Sequence, residues 1–208
     1  MQVLSTPILY LELVNLLART EIETNPGERV DTFIMVYKDP EEVYKEWLKY
    51  DKREMPRGYL HIVLQETDGG CYEMYNNGFQ MNKDDYEWFI FTPDDVFILG
   101  DGYRTEMDKR WTDNAGFIAM QGMNDSPHVQ GSIGLTHRDI LQQVCELNNG
   151  ELPHPKGTFL QERNIAEGEI PFTHMIHNLG YDLIKFNDSE KWSMENYCMP
   201  YHNLKYKI

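Results

Sequence analysis

Short β-type runs interleaved with helical stretches and joined by hairpin signals point to an α+β fold rather than a doubly wound parallel sheet for this chain. Thr32–Tyr37 (TFIMVY) and Gly58–Glu66 (GYLHIVLQE) are rich in β-branched and aromatic residues, and Tyr86–Phe91 and Gly116–Met120 read the same way. Helical patterns lie around them. Thr6 as N-cap and Pro7 at the first helical position precede Ile8, Leu9, Leu11, Leu13, Val14, Leu16 and Leu17, and Asn25-Pro26-Gly27 closes that helix. Asp39 and Pro40 open a second one over Glu41 to Arg53, with Val43, Tyr44, Trp47 and Leu48 at helical spacing. A third runs from an N-cap at Thr136 through Ile140, Leu141, Val144 and Leu147 to Asn148-Asn149-Gly150, with Asp139 near its positive end. A fourth starts at about Thr173 and carries Met175, Ile176, Leu179, Leu183 and Ile184.

The connections decide the kind of sheet. Asp68-Gly69-Gly70 is a hairpin signal, Cys71–Tyr75 returns, and Asn76-Asn77-Gly78 turns the chain into Phe79–Met81. This predicts an α+β fold in which an antiparallel β-meander packs against several helices around a single main core. With 208 residues, one domain is expected. Residues 1–150 form the main α+β domain in this reading. After Leu152-Pro153-His154-Pro155-Lys156-Gly157, residues 151–208 form a C-terminal helical subregion docked on the same core.

Composition narrows the function. No run of about 18 apolar residues is present, so no segment is expected to span a membrane. The start, Met1 to Pro7, lacks the cationic residues and cleavage site of a secretory signal, and Cys71, Cys145 and Cys198 are an odd, scattered set. These features predict an intracellular, reducing, cytoplasmic setting. The formal net charge is −15, with the larger share of the acidic excess before Gly100, and no Lys/Arg-rich run interrupts it. Such a field repels phosphate backbones, so a basic protein partner is expected rather than direct nucleic-acid binding.

No Gly-rich phosphate loop, nucleophile elbow or paired-histidine metalloprotease motif occurs. The stretch from Asp94-Asp95 to Asp101 lacks the ligand rhythm of a calcium loop, and Cys71 and Cys145 read as buried inert thiols. His137-x-Asp139 resembles the pair of a non-haem iron facial triad, but it falls in the first turn of a helix, where Asp139 complements the dipole.

Two constellations remain. His174-x2-His177 and Cys198-x3-His202 supply four zinc-type ligands, because helical residues three apart share a face and a short turn can bring the other two together. With one position left to water, Asp182 or Glu195 could serve as a base. The second is acidic and aromatic: Asp84, Asp85, Tyr86, Glu87, Trp88, Asp94 and Asp95 present spaced charge with aromatic anchors.

From these features we read an acidic binding protein without catalysis and without a required cofactor. It would be an inhibitor or adaptor, like phage-accessory or immunity proteins, that offers the acidic-aromatic cluster to a basic surface, such as that of a nucleic-acid-binding protein. The alternatives are a zinc-dependent hydrolase or zinc-stabilised fold using the C-terminal His/Cys cluster, and a structural subunit of a larger assembly.

Overall fold

Strand β1 (Gln2–Thr6) lies between two parallel neighbours, β2 (Thr32–Tyr37) and β5 (Trp88–Pro93), and this arrangement organises the molecule. The computed structural model describes residues 1–6, 11–37, 41–66, 70–93, 97–98, 101–119, 134–156, 161–185 and 193–194. Between β1 and β2 the chain forms α1 (Leu11–Glu23), and after β2 it forms α2 (Glu41–Leu48), β3 (Arg53–Met55) and β4 (Gly58–Gln65). Helix α3 (Cys71–Asn82) leads to β5, followed by β6 (Phe97–Ile98), α4 (Tyr103–Arg110), β7 (Ala115–Ala119), β8 (Gly134–His137) and α5 (Arg138–Leu147). The remainder is α6 (Gln161–Arg163), a π-helical segment (Asn164–Glu169), α7 (Ile170–Asn178), β9 (Asp182–Lys185) and β10 (Ser193–Met194).

Eight strands form one mixed sheet in the order β3-β4-β2-β1-β5-β8-β7-β9, and β10 pairs with β6 apart from it. The pairs β4·β2, β2·β1, β1·β5 and β7·β9 are parallel, whereas β3 and β8 run against their neighbours. Six strands therefore end at one edge, which we call the carboxyl edge.

The antiparallel meander expected from the sequence is not present. Asp68 and Gly69 of the first hairpin signal lie outside the described residues. Cys71–Met81, read as returning strands and a turn, lie in the crossover helix α3, and the turn-like composition of Asn76-Asn77-Gly78 has tertiary causes. Asn76 Oδ1 accepts a bond from the Leu152 amide at 2.9 Å, and Asn77 Nδ2 donates to Gln65 Oε1 at 2.7 Å. Gly78 lies so close to β1 that a Cβ there would sit 2.7 Å from Val3 Cγ1. Glycine is needed for close helix-on-sheet approach, not for a turn.

Other boundaries also moved. The first apolar stretch begins as β1, and its helix runs from Leu11 to Glu23. Thr136 belongs to β8, and the cap of α5 is the His137 side chain, which accepts from the Asp139 amide at 3.2 Å. The fourth helix ends at Asn178. Gly180 follows at φ 91°, and Leu183 and Ile184 are in strand β9.

Alternation along the strands sorts side chains to two buried faces, as doubly covered parallel strands require. Val3, Met35, Tyr37, Phe89, Phe91 and Phe117 face α3, α5 and α7. Ile34, Val36 and Leu60 face α1 and α2, and Ile90, Ile118 and Leu135 face α4. The Gly134 position shows how tight this packing is, since a Cβ there would meet the Ile118 carbonyl oxygen at 2.2 Å.

Candidate functional site

In an open α/β sheet, ligands bind outside the carboxyl ends of the strands where the strand order reverses. Here β2 and β4 extend to one side of β1 and β5 to the other, so the reversal lies between β1 and β5. The last residues at this edge are Thr6, Tyr37, Gln65, Pro93, Ala119 and Lys185. In the sequence, Pro93 is followed at once by Asp94 and Asp95, which lie outside the described residues.

Two helices bring their N-terminal ends to this edge. Helix α3 returns from it, with the Gly70 amide donating to the Tyr37 hydroxyl at 2.8 Å. Helix α7 descends to Gly180 at the opposite edge, where the Asp182 amide binds the Asn114 carbonyl at 2.8 Å ahead of β7. Its N-terminal end, carrying Glu169, and the π-helical segment therefore lie near the start of α3. Asn164 joins them, with Nδ2 donating to Cys71 Sγ at 2.9 Å and Oδ1 accepting from the Tyr72 amide at 3.3 Å. Beneath this polar group sits an aromatic floor. Tyr75 stacks on Phe91 at 4.6 Å between centroids, and Phe172 packs edge-on against Phe91 and Phe117 at 6.0 and 5.6 Å.

The opposite face of the β1–β5 pair holds a buried polar network. Gln2 Nε2 donates to Glu21 Oε1 and to Thr92 Oγ1, each at 3.1 Å, while Gln2 Oε1 accepts from the Tyr103 hydroxyl at 2.9 Å. Burial raises the Glu21 carboxyl to about 7, partly offset by the bonds from Gln2 and Thr32. This network ties α1, α4, β1 and β2 to the residue before Pro93.

The acidic-aromatic cluster does not form one patch. Asp84 and Asp85 are exposed in the turn before β5, at the amino edge. A six-residue strand, about 20 Å long, separates them from the residues after Pro93. Tyr86 turns inward, its hydroxyl donating to Asp31 Oδ2 at 2.9 Å. Trp88 packs against Trp111 and His137 at 4.7 and 4.9 Å, with the Arg104 guanidinium 5.2 Å above its ring, while Glu87 remains exposed.

His174 is half-buried and His177 exposed on α7, while Cys198 and His202 lie outside the described residues. Among the described residues no group of three or more His, Cys, Asp or Glu side chains is placed to hold a metal ion. Asp139 is exposed beside His137 in the first turn of α5, and its carboxylate pairs with Arg138 at 3.3 Å. Cys145 is buried, and burial pushes its thiol up to about 11, which keeps it unreactive. A cleft of about 240 Å³ lies outside the sheet edge, between the turn after α5 and the start of α7. Its charges pair locally, Lys156 with Glu151 and Glu167 with Arg163.

No protein-family model and no curated protein sequence matches the chain. Solved structures do match. A mannosyltransferase from Pyrobaculum calidifontis, in complex with GDP-Man and Mn2+, shares 13% identity over 90% of this chain and 55% of its own, with a TM-score of 0.56. The fold resembles that of GT-A glycosyltransferases. Drosophila β-1,4-galactosyltransferase 7, solved as a mutant with manganese, UDP-Gal and xylobiose, is 12% identical over all of this chain and 74% of its own, at a TM-score of 0.54. The glycosyltransferase GlyE of Streptococcus pneumoniae is 13% identical over 90% of this chain and 45% of its own, at 0.50. The chain spans about half the length of the first and third of these.

These neighbours overturn the reading of a non-enzymatic inhibitor or adaptor, phage-like or immunity-like, that engages a basic protein surface. That reading rested on net charge and on missing motifs, and neither reports the strand order. The mannosyltransferase and the galactosyltransferase were solved with manganese and a nucleotide sugar, and zinc finds no support in them. The sequence did contain a usable signal, an apolar strand (WFIFTP) running directly into two adjacent aspartates. The reading grouped those aspartates with Asp84 and Asp85 although the β-type run Tyr86–Phe91 lies between the two pairs.

Proposed function

We propose that this chain forms the nucleotide-sugar-binding part of a divalent-cation-dependent glycosyltransferase, transferring a sugar from a nucleoside diphosphate to a hydroxyl of an acceptor. The reading rests chiefly on one observation: the strand order reverses between β1 and β5, and β5 leads straight into Asp94-Asp95. Similarity of fold to glycosyltransferases supports it as analogy.

The donor set fits Mn2+ or Mg2+. Asp94 and Asp95 offer hard carboxylate oxygens, which suit these ions better than a thiol-imidazole set does. The charge of the protein argues for the same arrangement. The net charge of −15 disfavours a diphosphate, and Lys185 is the one cationic side chain among the last residues of the six strands. A bound divalent cation would supply the positive charge that meets the diphosphate and stabilises it as a leaving group. Asp94 and Asp95 would hold that ion. The parallel pairing fixes where β5 ends, and the Gln2–Thr92 bond holds that end against β1.

The test is direct. The protein with Mn2+ and individual nucleotide sugars should release the nucleoside diphosphate, slowly to water and faster with an acceptor sugar, and EDTA should stop it. Absence of Mn2+-dependent nucleotide release and of Mn2+-dependent nucleotide binding across UDP- and GDP-sugars would refute the reading.

A further inference from the structure

We propose that the Tyr72 hydroxyl, beside Glu169 at the carboxyl edge, binds a sugar hydroxyl of the substrate. This rests on the glycosyltransferase reading and deepens it by assigning a residue to the sugar rather than to the nucleotide.

Tyr72 Oη is the one buried side-chain polar atom among the described residues that has no hydrogen-bond partner, and the residue is 2% exposed. A buried hydroxyl without a partner costs stability, and phenylalanine would fill the same space without that cost. Packing accounts for the ring but not for the oxygen. The ring meets Tyr75 edge-on at 5.4 Å, lies 6.0 Å from Phe172, and crosses Gly168 so closely that a Cβ there would be 2.6 Å from Tyr72 Cγ.

Position indicates what the oxygen is for. Tyr72 is in the first turn of α3, and helical side chains lean toward the helix N-terminus, here toward the carboxyl edge. The segment across from it is π-helical, a geometry that frequently marks functional sites. Burial first, and then the nearby charge of Glu169, hold the phenol well above its usual range, so it stays protonated and can donate.

The chemistry selects the ligand class. The phenol offers a donor near the charge of Glu169, and a sugar hydroxyl can accept that bond without adding negative charge there. A phosphate can only accept, and Glu169 would repel it. The sugar could be that of the donor or that of the acceptor.

Tyr72→Phe distinguishes these. Its melting temperature without ligand should be unchanged or higher than wild type. If the hydroxyl reads the donor sugar, the affinity ratio of GDP-mannose to GDP, or of UDP-galactose to UDP, measured with Mn2+, should fall roughly tenfold, as expected for a lost hydrogen bond. If it reads the acceptor, that ratio should hold while binding of methyl mannoside, galactoside or xyloside weakens by a similar factor. Unchanged ratios together with unchanged methyl glycoside binding would overturn the inference, leaving Tyr72 with a buried water. In that case Mn2+-dependent nucleotide binding would persist, so the glycosyltransferase reading would stand. Loss of nucleotide binding in the wild type itself would overturn both.

Discussion

Strand β5 has two ends built for different purposes. At Trp88 the chain is closed by packing: two indoles, the His137 ring and the Arg104 guanidinium surround one another, Arg104 pairs with Asp108, and the Met1 ammonium donates to the Trp88 carbonyl at 2.6 Å. At Pro93 the strand ends at the edge where the strand order reverses, and Asp94 and Asp95 follow it in the sequence. Nearly the same residue types, acidic and aromatic, stand at both ends. Topology separates a structural anchor from a candidate ligand site, and linear proximity conceals the difference.

Substitutions at the two ends should therefore behave oppositely. Asp94→Asn with Asp95→Asn should lower Mn2+-dependent nucleotide release by about a hundredfold or more, since the ion stabilises several kcal/mol of developing charge. Thermal stability without metal should barely change. Asp84→Asn with Asp85→Asn, at the other end, should leave both quantities within about 0.5 kcal/mol of wild type. Equal losses from the two pairs would erase the distinction. Trp88→Ala should cost roughly 3 kcal/mol of stability by chemical denaturation, with metal-dependent binding retained in the folded fraction.

The pH dependence of stability tests the network that ties α1, α4, β1 and β2 to the Pro93 end of β5. The folded Glu21 pKa is raised from 4.5 to about 7, so the native state holds the proton more tightly than the unfolded chain. The contribution is fully present below about pH 4.5, declines as pH rises toward about 7, and is lost above that. The full span is of order 3 kcal/mol. Glu21→Gln should flatten this slope, as read from denaturation midpoints between pH 4.5 and 8. An unchanged slope would mean that the carboxyl is hydrated. Gly78→Ala has a smaller effect. Alanine favours helix, yet its Cβ would press on Val3, and a net loss of about 1–3 kcal/mol is expected.

The strands and helices with strong local patterns were legible in the sequence, notably Thr32–Tyr37, Gly58–Gln65 and the helix around Ile140 to Leu147. The sheet order was not. Asn76, Asn77 and Gly78 carry turn chemistry, and only the contacts with Leu152, Gln65 and Val3 explain their place inside a helix. Helix α4 was missed as well. Its charged sequence, YRTEMDKR, is held by local ion pairs of Glu106 with Lys109 and Arg110, while Tyr103, Arg104 and Met107 are buried. Once β4 and β5 are joined by a helix instead of hairpins, they run parallel. Asp94 and Asp95 then follow the carboxyl end of a central strand. The site was illegible for the same reason that the fold was.

The central claim is that the carboxyl edge between β1 and β5 binds a nucleotide through a divalent cation held by Asp94 and Asp95. Calorimetric titration of GDP and UDP into the protein, with and without Mn2+, tests it most directly when repeated on the Asp94→Asn, Asp95→Asn variant. The account predicts binding of at least one nucleotide that requires Mn2+ and is lost in the variant, with an unchanged melting temperature. Binding that is independent of Mn2+, or that survives in the variant, would contradict it.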